Sequence, residues 1–332
     1  MTEVERMAQE LDSEKEKKEA QKQRAERDKT LKMLRTAMKN FVEYFDDPLV
    51  TEIMLNEDRS LWIEKAGQGM MDTGRKISPD EAERFISIVS SVTQDKINKA
   101  KPHLSGELPI WGSRIEAVIP PATTNPIFSI RQKAKIIFPL ADYVRDGIMT
   151  EKQQKIIIDN IWKRSNILVV GGTGTGKTTL TNAILQEIAK TKSRLLILED
   201  TAELQCNYSN TVFLRQREGF SMRQMVRSSM RLRPDRIIVG EVTDGAALDL
   251  LKAWNTGHPG GVSTIHANGA SAGLVRLEQL IQEVLPVPQR TLIGEAVDLI
   301  VYIERTKNSR VIKEIIEVHG YNHNEYNLKK IA

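Results

Sequence analysis

The 332-residue sequence holds a single cysteine, Cys206, so it can form no internal disulfide and offers no cysteine cluster to zinc. A reducing, cytosolic setting fits. No run approaches the roughly 18–20 apolar residues that span a bilayer. The N-terminus is charged from Glu3 onward, without the apolar core of a secretory signal. Any membrane association is therefore expected to go through partners or the surface. Aromatics are only 5% of the residues and are not interleaved with basic ones, which argues against a stacking surface for nucleic acid. An excess of one charge is also missing: 48 Lys and Arg stand against 44 Asp and Glu, and the resulting +4 does not by itself imply a nucleic-acid partner. Histidine is scarce, at five, so the position of each one matters.

What is present suits two domains with an appendage. Apolar residues make up 40% of the chain and charged residues 28%, which supports packed cores and excludes wholesale disorder. Residues 1–30 are nearly all charged, Gln or Ala; Val4, Met7 and Leu11 give one weak stripe. They read as a charged, partly helical extension, with a coiled-coil or docking arm as the sharper alternative. From Leu31 an apolar face forms (Leu34, Met38, Phe41, Val42), and Asp46-Asp47-Pro48 stops that helix. Strands are expected at Thr51–Leu55, Leu61–Lys65, Arg114–Ile119 and Ile127–Arg131. Ser78-Pro79-Asp80-Glu81 opens a helix with a capping box. Residues 31–137 thus form a small α/β domain, and 138–150 read as a linker.

Residues 151–332 change in character. Thr150 caps a helix, and short apolar strands then alternate with helices: Asn166–Val170, Leu195–Leu198, Val212–Leu214, Arg236–Val239 and Val262–Ile265. Near-continuous apolar runs of this length indicate a parallel sheet buried on both faces. Val297–Ile303 and Val311–Val318 read as a closing pair of strands.

The segment Gly171-Gly172-Thr173-Gly174-Thr175-Gly176-Lys177-Thr178 matches G-x-x-x-x-G-K-[ST] in full, between an expected strand and an expected helix. Glycines there let backbone N–H groups turn around phosphates, and the helix N-terminus adds partial positive charge. Lys177 is expected at the β- and γ-phosphates of ATP, Thr178 on Mg²⁺, and Thr179 just behind them. Hydrolysis also needs carboxylates. Glu199-Asp200 and Gly240-Glu241 end two apolar strands, at the edge where open α/β sheets bind ligands. His266 ends a third and should point to the same edge, where it can contact a phosphate; His258 lies earlier in the same segment, with a structural role equally open.

Taken together, the P-loop, Leu198-Glu199-Asp200-Thr201-Ala202-Glu203, the stretch from Arg231-Leu232-Arg233-Pro234-Asp235 to Gly240-Glu241, and Thr264-Ile265-His266-Ala267-Asn268 resemble the secretion traffic ATPase superfamily. Its members carry a Walker A motif, an Asp box, an atypical Walker B motif and a His box in that order. Leu250 to Gly260, Glu52 to Asn56 and Ser113-Arg114 are especially similar to the conjugative-transfer ATPases of type IV secretion systems. The resemblance covers roughly residues 31–320.

It implies a RecA-like ATPase domain preceded by a small PAS-like α/β domain, assembled as a homo-hexamer at the cytoplasmic side of inner-membrane channel components. It implies nucleotide in a cleft between the two domains. Glu241 corresponds to the Walker B glutamate, Glu199 and Asp200 to acids near Mg²⁺ (Asp200 directly or through water), and His266 to the residue facing the γ-phosphate. Arg114 and Arg131 correspond to arginines over the phosphates, and Asn56 to a residue near the adenine or ribose. Whether Glu199 or Glu241 is the catalytic base stays open at this level. The alternatives are a type II secretion or type IV pilus motor and, from another class, a RecA-like nucleic-acid motor. A tetracysteine zinc site, frequent in general-secretion ATPases, is excluded by the single cysteine.

Overall fold

The computed structural model describes residues 19, 21–22, 24–66, 68–93, 95–108, 111–133, 135–306 and 309–332. Most of the charged extension expected over residues 1–30 lies outside them. The chain divides into two compact units, 1–135 and 136–332.

The first unit contains helix α1 (24–37), α2 (Val42–Asp46), β1 (Val50–Leu55), β2 (Ser60–Lys65), β3 (Gly69–Lys76), α3 (Pro79–Thr93), β4 (His103–Leu108), β5 (Ser113–Val118) and β6 (Ile127–Arg131). Its strands form an antiparallel sheet in the order β3-β2-β1-β6-β5-β4. Alternation sends Ile53, Ile115 and Ile130 into the core, where Leu34, Phe41, Phe45, Phe85 and Val89 cover them. The helix expected to run from Leu31 to Asp46 is broken at residues 38–41. Phe41 leaves helical geometry (φ −147°, ψ 10°), and its ring packs on Phe85 at 5.4 Å and Phe128 at 5.6 Å between centroids. Tertiary packing overrides helical continuity there. The other face of the sheet carries Arg114, Glu116 and Arg131.

The second unit contains α4 (Leu140–Arg145), α5 (Glu151–Trp162), β7 (Ile167–Gly171), α6 (Lys177–Ala189), β8 (Leu195–Glu199), β9 (Thr211–Arg215), α7 (Met222–Ser229), β10 (Arg236–Val239), α8 (Ala246–Asn255), β11 (Val262–His266), α9 (Ala270–Gln282), α10 (Arg290–Ala296), β12 (Leu299–Arg305), β13 (Arg310–Asn322) and β14 (Glu325–Lys330). The sheet order is β14-β13-β12-β7-β11-β10-β8-β9. The six strands from β12 to β9 are parallel, and β13 and β14 add antiparallel at one edge. Alternate residues of β7 feed two cores. Ile167 and Val169 meet α4, α5 and α6; Leu168 and Val170 meet α8 and α9. Thr150 and Gln153 form the capping box that starts α5.

Residues 138–150, expected as a linker, instead carry α4. Leu140, Tyr143 and Met149 are buried in the core of the second unit. These side chains are too apolar to leave in water, each being worth on the order of 1.5–3 kcal/mol when buried. Among the described residues, no helix is long and apolar enough to cross a membrane.

Candidate functional site

Parallel strands deliver their C-terminal ends to one edge of the sheet, and the chemistry-bearing residues collect there. Gly171 ends β7, Glu199 ends β8, and His266 ends β11 directly opposite Gly171. Glu241 follows β10, which pairs with β11 on its other side. Glycine at position 171 is a steric necessity. A Cβ would sit 2.5 Å from the Ile303 carbonyl oxygen and 2.6 Å from Thr175 Oγ1. Gly174 and Gly176 both adopt positive φ, which turns the loop so that α6 starts at Lys177. Gly176, the N-cap, offers no side-chain cap, so the first amides of a 13-residue helix are available to an anion.

Lys177 is only 7% exposed and lies folded over the loop, donating from Nζ to the Gly172 carbonyl at 2.9 Å. Its Nζ also stands 3.1 Å from His266 Nδ1, and His266 Nε2 stands 2.7 Å from Glu241 Oε1. An ammonium can only donate, so Nδ1 must accept. A neutral ring would therefore carry its proton on Nε2, the nitrogen that faces Glu241. Lysine, histidine and glutamate form one ordered chain from the P-loop to the end of β10.

The two strand-end acids differ. Glu199 is 2% exposed, and its Oε1 accepts the backbone N–H groups of Glu203 (2.9 Å) and Leu204 (2.6 Å). It fastens the segment that leaves β8. Gly240 packs against it: a Cβ there would come within 3.2 Å of Glu199 Cγ. Asp200 is exposed and accepts from the Thr201 amide at 2.7 Å. The carboxylate on the P-loop threonine is Glu203, a residue that sequence reasoning did not single out. Thr178 Oγ1 donates to Glu203 Oε2 at 3.0 Å, and Asn182 Nδ2 holds the Glu203 carbonyl at 3.2 Å.

Thr178 and Glu203 are hard oxygen donors of the kind Mg²⁺ prefers. Among the described residues no three His, Cys, Asp or Glu side chains gather as metal ligands. A cation held at Thr178 would therefore draw its other ligands from phosphate and water. Thr175 donates from Oγ1 to the Gly172 carbonyl at 3.0 Å, bracing the loop from within; Thr173 is exposed and Thr179 half-buried.

The remaining sequence-derived candidates belong to other elements. His258 belongs to the loop entering the N-terminal end of β11, at the edge of the sheet opposite the P-loop. In the first unit, Arg114 and Arg131 are register partners on β5 and β6, both exposed, with Glu116 and Glu52 beside them at 3.6 and 4.0 Å. Asn56 closes the β1–β2 turn and donates from Nδ2 to Ser60 Oγ at 3.4 Å.

Residues 35–307 match the family model described as "Type II/IV secretion system protein". The chain is 50% identical to the probable conjugal transfer protein TrbB of Sinorhizobium fredii over 286 residues, covering 86% of this chain and 88% of that protein. It is equally 50% identical to the conjugal transfer protein TrbB of Rhizobium radiobacter over 289 residues, 86% of this chain and 89% of the relative. Among solved structures, the Legionella pneumophila ATPase DotB superposes with a TM-score of 0.60 at 20% identity, over 82% of this chain and 78% of that one. The pilus retraction motor PilT with bound ADP gives 0.59 at 19% identity, over 90% and 83%. Those two likenesses speak for the fold.

Proposed function

Given that the chain belongs to the type II/IV secretion system protein family, we propose that it hydrolyses Mg·ATP to drive conjugal transfer in a type IV secretion machine. The observation that carries this reading is the Lys177–His266–Glu241 chain beside a complete P-loop. The 50% identity to conjugal transfer proteins over most of the chain favours conjugation over a pilus or type II motor.

The chemistry follows from these residues. The P-loop amides and the start of α6 bind the β- and γ-phosphates, and Lys177 leaves His266 to bridge them. Thr178 and Glu203 would hold Mg²⁺, directly or through water, and the ion would supply charge neutralisation at the phosphates. Glu241 orients a water for in-line attack on the γ-phosphorus and takes its proton. The bond from that phosphorus to the β–γ bridging oxygen breaks, and ADP leaves with the electron pair. His266 holds the Glu241 carboxylate with its Nε2–H and presents Nδ1 toward the phosphate side. Glu199, whose Oε1 is committed to two amides, serves the architecture of the site. Glu241 is thus the acid assigned to the base role.

The larger picture is a RecA-like ATPase domain in the second unit, 136–332, and a PAS-like domain in the first. It is a homo-hexamer on the cytoplasmic side of the inner membrane, attached through channel components. Arg114, Arg131 and Asn56 are proposed to act on the same nucleotide within that assembly. Purified chain should show Mg²⁺-dependent ATP hydrolysis that Lys177→Ala reduces to background. The same substitution should stop conjugal transfer when it replaces the wild-type gene. Hydrolysis by Lys177→Ala within a few-fold of wild type would overturn the assignment.

A further inference from the structure

The P-loop has an outer side that the reaction does not use. The Gly172 carbonyl is held from within by Lys177 and Thr175, whereas the Gly174 carbonyl faces the β12–β13 hairpin. Arg305 and Arg310 are register partners at the end of that hairpin. Arg310 Nη2 points at the Gly174 carbonyl oxygen, 3.4 Å away. Its stem runs alongside Gly176, where a Cβ would meet Arg310 Cδ at 3.0 Å and Nε at 3.3 Å. Gly176 also has φ +94°, so a side chain there would be strained as well as crowded.

The inner end of this guanidinium is enclosed. Arg310 Nε is buried without a hydrogen-bond partner among the described residues, and so is the hydroxyl of Tyr143 on α4. Burial pushes the Tyr143 phenol well above its ordinary value, while the nearby positive charge of Arg310 pulls the other way. Two residues further along β13, Ile312 donates from its amide to the Ile148 carbonyl at 2.7 Å and accepts from Gln153 Nε2 at 3.0 Å. The strand carrying Arg310 is therefore fixed to the segment from α4 to α5. A rigid support of this kind matters because a glycine-rich loop loses much conformational freedom on ordering.

We propose that Arg310 is a positioning residue for nucleotide binding. From the hairpin it holds the carbonyl side of Gly174–Gly176, keeping the amides aimed at the phosphates before nucleotide arrives. It does so without touching the reacting atoms. The inference rests on the P-loop reading above and adds a residue from a different part of the chain to it.

The test is steady-state ATP hydrolysis by the full chain, with ADP affinity measured alongside, in wild type, Arg310→Ala, Arg310→Lys and Lys177→Ala. Arg310→Ala should raise KM and the ADP dissociation constant about tenfold, with kcat within about threefold of wild type, because preorganisation is lost and chemistry is not. Arg310→Lys keeps the stem along Gly176 and one donor for the Gly174 carbonyl, and should recover most of the affinity. A fall in kcat at unchanged KM would make Arg310 a catalytic group, and unchanged parameters would deny it any role; either overturns the proposal. Weakened binding that lysine does not restore overturns it too. If Arg310→Ala is not recovered folded, Arg310→Gln is judged by the same criteria. A wild-type chain with no activity above Lys177→Ala would instead overturn the ATPase reading, and this inference with it.

Discussion

Lys177 Nζ stands 3.1 Å from His266 Nδ1, and this contact sets the tautomer of a neutral ring: Nδ1 accepts, so the proton sits on Nε2, which stands 2.7 Å from Glu241 Oε1. The imidazole bridges the P-loop lysine and the acid at the end of β10. On the proposed reading, phosphate would draw Lys177 away and leave His266 Nδ1 to accept on the phosphate side. His266→Ala should lower kcat by about 10²-fold, the scale of one positioned group in a proton transfer. ADP affinity should stay within a few-fold of wild type. Equal losses in both quantities would show that the ring acts in ground-state binding, which rapid-mixing ADP titrations would detect.

Glu203 is the carboxylate on Thr178 Oγ1, at 3.0 Å. If it helps to hold Mg²⁺, Glu203→Gln should raise the Mg²⁺ concentration needed for half-maximal hydrolysis several-fold, and saturating Mg²⁺ should restore much of the rate. A rate loss that no Mg²⁺ concentration repairs would assign Glu203 a different task.

Arg236 closes the opposite end of the sheet. It is 2% exposed, and it donates from Nη1 to the Gly260 carbonyl at 3.0 Å and from Nη2 to the Ile161 carbonyl at 2.9 Å. Burial, with Arg164 nearby, lowers its pKa to about 10. Arg236→Ala would strand both carbonyls and leave a cavity, so it should cost about 3 kcal/mol or more of stability. Urea unfolding of the purified variant measures this, and a cost under about 1 kcal/mol would contradict the clamp.

Asp298 accepts the Asn166 amide through Oδ2 at 2.7 Å, and burial raises its pKa above the ordinary carboxylate value. The sign follows from linkage. An acid raised in the folded state contributes stability below its unfolded pKa and loses it as pH rises through the folded one. An asparagine side chain at this position could accept the same amide without a charge. Asp298→Asn should therefore be at least as stable as wild type at neutral pH, with the difference shrinking at acidic pH. Denaturant midpoints across that range check it; a variant less stable at neutral pH would show that the carboxylate charge is favourable there.

Much of this architecture was legible because its signals are local. The P-loop carries its own spacing, and the buried parallel strands advertise themselves as apolar runs. Other elements have no local signal. β3 alternates between half-buried and exposed residues without a strong apolar set, and β14 depends on a turn in which His323 and Asn324 both take positive φ. The acids show the limit most clearly. In sequence, Glu199 and Glu241 both follow an apolar run, and only the folded path of residues 200–205 shows that Glu199 is committed to backbone amides. The same folding back brings Glu203 to Thr178, and β13 brings Arg310 to the P-loop from 136 residues away.

The most direct test of the Lys177–His266–Glu241 chain compares Glu241→Gln with Glu199→Gln in single-turnover ATP hydrolysis, with ATP affinity measured in parallel. Glu241→Gln should bind ATP at near wild-type affinity and hydrolyse it about 10²–10⁴-fold more slowly. Glu199→Gln should chiefly lower the melting temperature, because an amide oxygen is a weaker acceptor for the Glu203 and Leu204 N–H groups. Hydrolysis by Glu241→Gln within a few-fold of wild type, with a well-folded Glu199→Gln unable to turn over, would contradict the assignment and move the base to Glu199.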